Sequence, residues 1–558
     1  MKVILPQVKE EVLEAVKGNK IYAAILTNRE IDTKQKIEKF KKIKRVNIAK
    51  DIKGVKKAVE RIKIAITKKE KITVWGDMDC DGATSTVILI EGLRKIGADA
   101  GYHLPVRFND GYGMDSKNID ILAANGTNLI ITCDCGISNL KEIEYAKKYG
   151  IDVIVTDHHS LPWTMPNAYA IINPKTLKEE HPAYNVSGAV VAYYLIKEIY
   201  KEYGLTGEER EFEDLVALSI IGDCVPLLEE NRVLLKKGFN SLINTNRNGL
   251  KAIMANVYKN TEDKNDITEE DIAFQVVPKI NAAGRLEHIK LSVKTLLEPD
   301  EKIAEKYAEK LEELNTSRKE IQNLIIKEAE EKVEGKLNNL RTIQLYNKYW
   351  HVGVVGIIAG RLADKYKKPT IVLTNNNGKI TGSARSPEGI SLIDMLHDCK
   401  EYLVKYGGHK AAAGLTVDEK NLKAFAKAFE NRVRKENIPE EKIIIDAELE
   451  IEEINEKLYN NIRLLAPYGH EFPKPIFYTK DLTIKNIKPF SVGTELTLEK
   501  NRRYIRCTIF EKIDEECIDE RIDIVYTLQK NTWGNNVYIN PTIEKIIPYN
   551  ISSKPLAC

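Results

Sequence analysis

Three short apolar runs rich in β-branched residues, each followed by an acidic motif, constrain the fold more than any other feature of the chain. They cover residues 71–76, 128–132 and 151–156, and a helical pattern over 85–96 follows the first run. Strands that alternate with helices predict βαβ units and a parallel sheet. Because the carboxyl ends of parallel strands gather at one edge of a sheet, carboxylates far apart in sequence can meet there.

Four acidic motifs lie within the first 225 residues, and the last of them ends an apolar helical pattern instead of a strand. Their oxygen and imidazole groups suit Mn²⁺ or Mg²⁺ better than zinc. A single Asp after a strand is more typical of a helix cap, so the prediction depends on the whole set. We predict a hydrolytic site in which two metals share Asp134. In chain order, the motifs are Asp77-Met-Asp79-Cys-Asp81-Gly, Cys-Asp134-Cys, Asp157-His158-His159 and Gly-Asp223-Cys.

The eight cysteines form no Cys-x-x-Cys pair of the kind that zinc and redox sites use. Four of them adjoin the acidic motifs, which raises the alternative of mixed thiolate and carboxylate ligation. Neighbouring residues of an extended strand point to opposite faces, so Cys133 and Cys135 should face away from Asp134. We therefore expect free thiols that serve packing.

Size and charge indicate a soluble protein of several domains. At 558 residues the chain is too long for one core, and its net charge of +3 provides no global attraction to nucleic acid. Any nucleic-acid groove must therefore be local. The longest apolar stretches, 186–196 and 352–360, are too short to span a membrane. We expect a cytoplasmic protein without ATP-driven motion, because the chain has no phosphate-binding loop of the Walker A type.

The pattern predicts an α/β multidomain chain with five units. From Pro299 a charged helical run contains no Gly or Pro until Gly335. Mixed α/β patterns follow it, with helices predicted over 354–366 and 392–406, and short alternating segments begin near 444. The predicted units are an N-terminal helical region (1–70), a parallel-sheet domain (71–295), a long connecting helix (296–338), a second α/β domain (339–435) and a small β-barrel (436–558).

Taken together, these motifs resemble those of the DHH phosphoesterase superfamily and, over nearly the whole chain, those of its RecJ family of single-strand-specific DNA exonucleases. The second α/β domain carries the associated DHHA1 signature, and the barrel is similar to the family's oligonucleotide-binding (OB) fold. The matching motifs beyond the acidic ones are Arg107-Phe-Asn-Asp-Gly-Tyr-Gly113, Ile280-Asn-Ala-Ala-Gly-Arg285, Trp350-His-Val-Gly-Val-Val-Gly356, Gly382-Ser-Ala-Arg-Ser386 and Gly407-Gly-His-Lys-Ala-Ala-Ala-Gly414.

The resemblance implies a 5′-to-3′ exonuclease that uses Mn²⁺ or Mg²⁺, releases mononucleotides and acts in DNA repair and recombination. Its partners would be single-stranded DNA and, beside it, a helicase and a single-strand-binding protein. The resemblance implies that one metal is bound by Asp79, Asp134, His158 and Asp223, and the other by Asp77 with Asp134. It further implies that His159 contacts or protonates the scissile phosphate region and that Asp81 supports the loop. The terminal phosphate would lie in a cradle of Arg107, Arg285, Ser383 and Arg385, and His409 would contact the substrate.

Two alternative functions are weighed against this one. An oligoribonuclease or cyclic-dinucleotide phosphodiesterase of the same superfamily usually has only the two catalytic domains, so the long helix and barrel favour a longer polymer. A non-catalytic scaffold is disfavoured because every acidic motif is present.

Smaller features leave more than one interpretation. Gly407-Gly408-His409 is interpreted as functional instead of a plain turn, and the small-residue face over 353–360 as packing. Trp533, Tyr504 and Tyr538 form either a stacking platform or the barrel core. Three features depart from the family pattern: Met78, Lys279 and the segment 467–473. These departures affect the expected substrate preference and the strength with which the barrel binds the strand more than they affect the expected hydrolysis.

Overall fold

The computed structural model describes residues 2–42, 48–106, 113–259, 261, 263–335, 337–387, 389–436, 442–533 and 536–548. Within these ranges, no helix combines the length and the apolar character needed to cross a membrane.

The N-terminal region contains five helices and one short strand. The strand, β1, was not predicted; it pairs in parallel with β12 (Lys442–Ile444), which precedes the barrel by sequence. This pairing therefore joins the N-terminal region to the segment that precedes the barrel. Its elements are β1 (Lys2–Ile4), α1 (Glu10–Ala15), α2 (Lys20–Asn28), α3 (Lys34–Lys41), α4 (Ile48–Asp51) and α5 (Gly54–Thr67).

The first sheet is parallel, as predicted, with the strand order β3-β2-β4-β5-β6. Its central strands are almost wholly buried, because helices cover both faces. The strands are β2 (Lys71–Trp75), β3 (Ala100–His103), β4 (Thr127–Cys133), β5 (Asp152–Thr156) and β6 (Ala170–Ile172), and the helices are α6 (Cys80–Lys95), α7 (Ser116–Ala124), α8 (Leu140–Lys147), α9 (Gly188–Glu202) and α10 (Glu213–Gly222).

Helix α6 begins five residues before the predicted start at Ser85. Asp79 caps it, since its Oδ1 accepts a hydrogen bond from the backbone N–H of Gly82 at 3.0 Å. One carboxylate of the first acidic motif therefore also has the structural task of a helix cap.

A set of helices connects the first sheet to the second domain. The 33-residue helix α17 packs its first half on α12 and α15 and its second half on the core of the second domain, which matches the predicted connecting helix. A π-helical turn, Ile272–Val276, joins α14 to α15. The helices are α11 (Glu229–Ile243), α12 (Asn248–Ile253), α13 (Ala255–Lys259), α14 (Glu269–Asp271), α15 (Val277–Leu286), α16 (Lys290–Leu297) and α17 (Glu301–Val333).

The second sheet has the order β10-β11-β9-β8-β7. The helix predicted over 392–406 is wrong beyond Asp398, because Leu403–Gly408 forms edge strand β10, paired antiparallel with β11. Ladder hydrogen bonds and packing of Leu403 and Tyr406 on the core override the local helical pattern there. The elements are β7 (Ile343–Tyr346), α18 (Val355–Tyr366), β8 (Thr370–Asn376), β9 (Lys379–Arg385), α19 (Leu392–Asp398), β10 (Leu403–Gly408), β11 (Ala412–Val417) and α20 (Leu422–Val433).

The C-terminal strands close into a five-stranded barrel. Their order is β14-β15-β16-β18-β17, and β17 pairs back onto β14, which is the OB arrangement expected from the sequence. The elements of this part are β12, β13 (Ala447–Glu448), α21 (Glu456–Arg463), β14 (Phe477–Phe490), β15 (Gly493–Lys500), β16 (Arg503–Ile509), β17 (Arg521–Trp533) and β18 (Asn536–Pro548).

A buried arginine joins the N-terminal region, the first domain and the segment before the barrel. Arg232 of α11 is 1% exposed, and its guanidinium carbon lies 4.6 Å from the ring centroid of Phe40 and 4.4 Å from that of Phe472. The guanidinium also donates hydrogen bonds to the carbonyls of Ala466 and Pro467. The altered segment 467–473 is thus a packed joint that fixes the barrel against the first domain.

Candidate functional site

The carboxyl edge of the first sheet brings the four acidic motifs together. Asp134 directly follows β4, Asp157 follows β5, and Asp223 ends α10. Candidate ligand atoms lie within 4.8 Å of one another in three groups. These groups are Asp77 with Asp79 and Asp134, Asp134 with His158 and His159, and Asp81 with His158 and Asp223.

Asp134 occupies the centre of this cluster. It is 2% exposed, and its Oδ1 lies 3.0 Å from Nε2 of His158. Its φ of 60° is unusual for a residue other than glycine, and such backbone conformations concentrate at functional sites. The amino end of α9 approaches closely, since a Cβ on Gly188 would lie 2.9 Å from the Cβ of Asp134.

The cysteines beside Asp134 serve packing, as expected. Cys133 and Cys135 are fully buried and belong to none of the described ligand groups. The prediction from strict alternation along a strand is wrong in its reason. Strand β4 ends at Cys133, and the backbone of Asp134 adopts the left-handed conformation. Burial instead raises the pKa of both thiols, which keeps them protonated.

The two adjacent histidines have opposite pKa shifts. Burial and the neighbouring His159 lower the pKa of His158 to about 4, so its imidazole is neutral and suited to metal ligation. Burial alone would lower the pKa of His159 too, but its hydrogen bond to Asp157 and the surrounding carboxylates raise it to about 9. In the metal-free protein at neutral pH, the imidazole of His158 is therefore neutral and that of His159 is protonated.

Asp157 orients this pair. Its Oδ1 accepts hydrogen bonds from the backbone N–H groups of His158 and His159, at 2.7 and 3.0 Å, and lies 2.8 Å from Nδ1 of His159. Its Oδ2 accepts from the N–H of Ile137 at 2.9 Å. Burial would raise the pKa of Asp157, but the hydrogen bond and charge of His159 outweigh burial and lower it.

Asp81 lies below the cluster and anchors the amino end of α9. Its carboxylate, 1% exposed, accepts hydrogen bonds from the backbone N–H groups of Gly188 at 2.6 Å and Ala189 at 2.8 Å, and from the Ser219 hydroxyl at 2.7 Å. The two oxygens already accept three hydrogen bonds from the protein, so these contacts suit Asp81 to supporting the start of helix α9.

The cluster has the chemistry of a divalent-cation site. Burial and the neighbouring carboxylates raise the pKa of Asp223 to about 9 and that of Asp134 well above its ordinary value. Nε2 of His158 is buried, and although Oδ1 of Asp134 lies 3.0 Å away, the geometry between them is not that of a hydrogen bond. Crowded carboxylates and a neutral imidazole fit Mn²⁺ or Mg²⁺.

A basic cradle in the second domain lies near the amino end of α18. Nη1 of Arg385 donates to Oγ of Ser383 at 2.6 Å, and a Cβ on Gly356 would lie 3.4 Å from both side chains. Nη1 of Arg285 lies 3.3 Å from the carbonyl oxygen of Gly353. Two guanidiniums, a hydroxyl and a helix amino end are typical of a phosphate site.

The glycines over 353–360 do not all have the packing role that the sequence suggested. Gly353 has it, since a Cβ there would lie 1.9 Å from the carbonyl oxygen of Arg285, whereas Gly356 faces the cradle. Arg107, also predicted for this cradle, lies outside the described residues.

His409 of the second domain lies close enough to His159 and Lys175 of the first domain for their charges to act on it. Burial lowers the pKa of His409, and so do the positive charges of His159 and Lys175. Lys175 is half-buried and lies over the ring of Tyr184 at 4.1 Å, and its charge also acts on His158. Lys175 follows Asn173, whose amide donates to the carbonyl of His159; no sequence motif marked it.

Tyr504 and Tyr538 of the barrel are not core residues. Tyr504 is 64% exposed and Tyr538 49% exposed, so for these two the core interpretation is wrong. The side chain of Trp533 lies outside the described residues.

Comparison with known proteins identifies the parts of the chain. Family models match residues 71–220 as "DHH family, N-terminal domain", 339–435 as "DHHA1 domain" and 445–545 as "RecJ OB domain". The single-stranded-DNA-specific exonuclease RecJ of Salmonella typhimurium is 35% identical over 448 residues, which are 76% of this chain and 77% of that protein. The chain belongs to the RecJ family.

Other members of the RecJ family agree in sequence and fold. RecJ of Bacillus subtilis is 32% identical over 92% of this chain, which spans 66% of that protein's length. The crystal structure of Thermus thermophilus RecJ with Mn²⁺ superposes with a TM-score of 0.83 at 25% identity, covering 98% of this chain and 79% of that one. The RecJ-family assignment and the fold class predicted from the sequence are confirmed.

Proposed function

We propose that the protein is a metal-dependent exonuclease that degrades single-stranded DNA from the 5′ end and releases mononucleotides in DNA repair and recombination. One observation carries the proposal: the acidic cluster of the first domain and the basic cradle belong to one RecJ-type chain, in which Arg285 of the first domain donates to the carbonyl of Gly353 beside the cradle at 3.3 Å. The relatives named single-stranded-DNA-specific exonucleases, and the relative crystallised with Mn²⁺, support the substrate and the metal.

The cluster would hold two ions, Mn²⁺ or Mg²⁺, with Asp134 between them. When bound, the ions supply an activated water and neutralise the charge that develops on the phosphoryl group. Such ions would be bound by Asp79, Asp134, His158 and Asp223 at one position and by Asp77 with Asp134 at the other.

The other side chains bind the strand and move a proton. His159, whose Nδ1 lies 2.8 Å from Oδ1 of Asp157, would protonate the leaving oxygen. Arg285, Ser383 and Arg385, with Arg107, would bind the terminal phosphate, and His409 would contact the strand from the second domain. Asp81 would act on the reaction only by positioning α9.

The proposal extends to the setting of the enzyme. An exonuclease restricted to single strands depends on strands that another protein has opened, so we propose a helicase and a single-strand-binding protein as working partners, in the cytoplasm.

Labelled substrates test the proposal. Single strands of DNA and RNA, labelled at the 5′ or the 3′ end, are incubated with Mn²⁺ and the products are resolved by length. We expect mononucleotides from the 5′ end of DNA. Exclusive cleavage of di- to pentanucleotides would instead assign an oligonucleotidase, and no hydrolysis of any strand would assign a scaffold.

An Asp134→Ala variant tests the metal centre. We expect it to abolish hydrolysis while single-strand binding by the barrel remains, because Asp134 belongs to two of the three ligand groups. Asp99→Ala is the matched control, since Asp99 is exposed and precedes β3 at the opposite edge of the sheet. Unchanged hydrolysis by Asp134→Ala would refute the shared-ligand assignment.

A further inference from the structure

Phe274 is the most exposed phenylalanine in the described part of the chain, with 71% of its surface accessible. It lies in the π-helical turn Ile272–Val276, between two fully buried residues, Ile272 and Val276. A π turn inserts one residue into a helix and redirects its side chains, and such turns are frequent at functional sites. The turn therefore presents a large aromatic face to solvent from a rigidly packed helix.

Phe274 separates two clefts. The barrel-side cleft, of about 370 Å³, is lined by Ile221 and Cys224 near the metal centre and by Thr527 of the barrel. The helix-side cleft, of about 220 Å³, is lined by residues of α13 and α17. The ring of Phe274 lines both clefts.

One lining residue of the barrel-side cleft is the chain neighbour of a proposed metal ligand. Cys224 directly follows Asp223, and a Cβ on Gly222 would lie 3.6 Å from Cγ1 of Val277. Val277 comes three residues after Phe274 at the start of α15. The helix that carries Phe274 is thus packed against the segment that carries a proposed metal ligand.

The two clefts differ in charge. On the helix side, Lys259 and Lys319 are exposed and form no ion pair with any residue that the structure describes, while Lys279 pairs with Glu312 at 2.7 Å. The barrel side contains three glutamates, Glu269, Glu270 and Glu544, and one lysine, Lys474, which pairs with Glu270. A nucleic-acid strand bound beside Phe274 would therefore place its phosphates in the helix-side cleft.

We propose that Phe274 stacks against a base of the single strand outside the metal centre, and that Lys259 and Lys319 bind the phosphates beside that base. This assignment rests on the proposed function and extends it to a second contact with the strand. Stacking on an aromatic ring requires a base whose face is open, which bases within a duplex do not offer. Phe274 would thereby contribute to selection of single strands independently of cleft width.

Binding measured without turnover tests the stacking contact. A single strand of about 16 nucleotides, carrying 2-aminopurine at successive positions, is titrated into the full chain in the presence of a chelator. We expect Phe274→Ala to weaken binding about 5- to 160-fold and to abolish quenching at one position, because an aromatic stack contributes about 1–3 kcal/mol per base. Phe274→Trp should retain both signals, since indole also stacks.

The matched control is Tyr149→Ala. Tyr149 is an exposed aromatic residue between α8 and β5, at the edge of the first sheet opposite the metal centre, and its loss should leave binding at the wild-type level. The double variant Lys259→Ala, Lys319→Ala should reduce the slope of log affinity against log salt by about 1 to 2.

Two results would overturn the proposal. Binding and quenching by Phe274→Ala equal to those of the wild type would exclude stacking, and equal losses in the Ala and Trp variants would assign Phe274 a purely structural role. Neither result bears on the proposed nuclease function. That proposal is refuted by a separate result, namely that the wild-type chain with Mn²⁺ leaves labelled single strands intact.

Discussion

Helix α15 approaches the first acidic motif so closely that a single methyl group should disable the site. A Cβ on Gly284 would lie 2.1 Å from the carbonyl oxygen of Met78. Ordinary carbon–oxygen contacts are about 3.3 Å, so Gly284→Ala must separate the two backbones by roughly 1.2 Å. Asn281 of the same helix also holds this motif, because its Oδ1 accepts the backbone N–H of Cys80 at 2.8 Å.

The expected effects on stability and activity differ in size. Overpacking of this kind costs about 1–3 kcal/mol, and the better helix propensity of alanine offsets about 1 kcal/mol of it. Met78 lies between Asp77 and Asp79, so the displacement carries two proposed ligands with it. A shift of about 1 Å at reacting groups costs on the order of 100-fold in rate.

Thermal unfolding and exonuclease rate, measured on the same preparation, check this prediction. Gly284→Ala should unfold a few degrees below the wild type and lose about 100-fold in kcat. Gly101→Ala is the control, since a Cβ on Gly101 meets no atom within 4 Å. A Gly284→Ala enzyme as active as Gly101→Ala would refute the argument that α15 sets the position of the motif.

Two further predictions concern charge. The pKa of Asp223 is raised to about 9, so the metal-free protein loses stability as the pH rises from the unfolded-state pKa of about 4 toward 9. Mn²⁺ should therefore raise Tm more at about pH 8 than at about pH 6. Equal increases in Tm at the two pH values would contradict this. Lys175→Ala should lower kcat/KM about tenfold, because a charged contact with the strand near His409 is lost. The exposed neighbour Lys178→Ala serves as control in the same assay, and equal effects of the two changes would remove Lys175 from the site.

The parallel sheet and the acidic site were predictable because both follow from short local patterns. Apolar runs of five or six residues ending in Asp identify strand ends, and parallel topology then requires those ends to meet. The arrival of Asp223 from a helix was predictable for the same reason, since Leu215–Gly222 has a helical pattern.

Other features depend on contacts that no local pattern encodes. Strand β10 forms because β11 supplies its hydrogen bonds, although residues 392–406 have helical spacing. Asp134 is left-handed because of the turn that follows β4, and Lys175 reaches the site through a loop with no motif. Phe274 was not singled out, since its exposure follows from a π turn that sequence spacing does not reveal.

The pairing of β1 with β12 has a consequence for biosynthesis. Residues 2–4 leave the ribosome before the whole first domain, but their partners are residues 442–444. At about 5–20 residues per second, the early strand waits roughly 20–90 seconds for its partner. During that time its open edge is a site for pairing with other chains. The pairing that protects this edge also joins the N-terminal region to the segment that precedes the barrel.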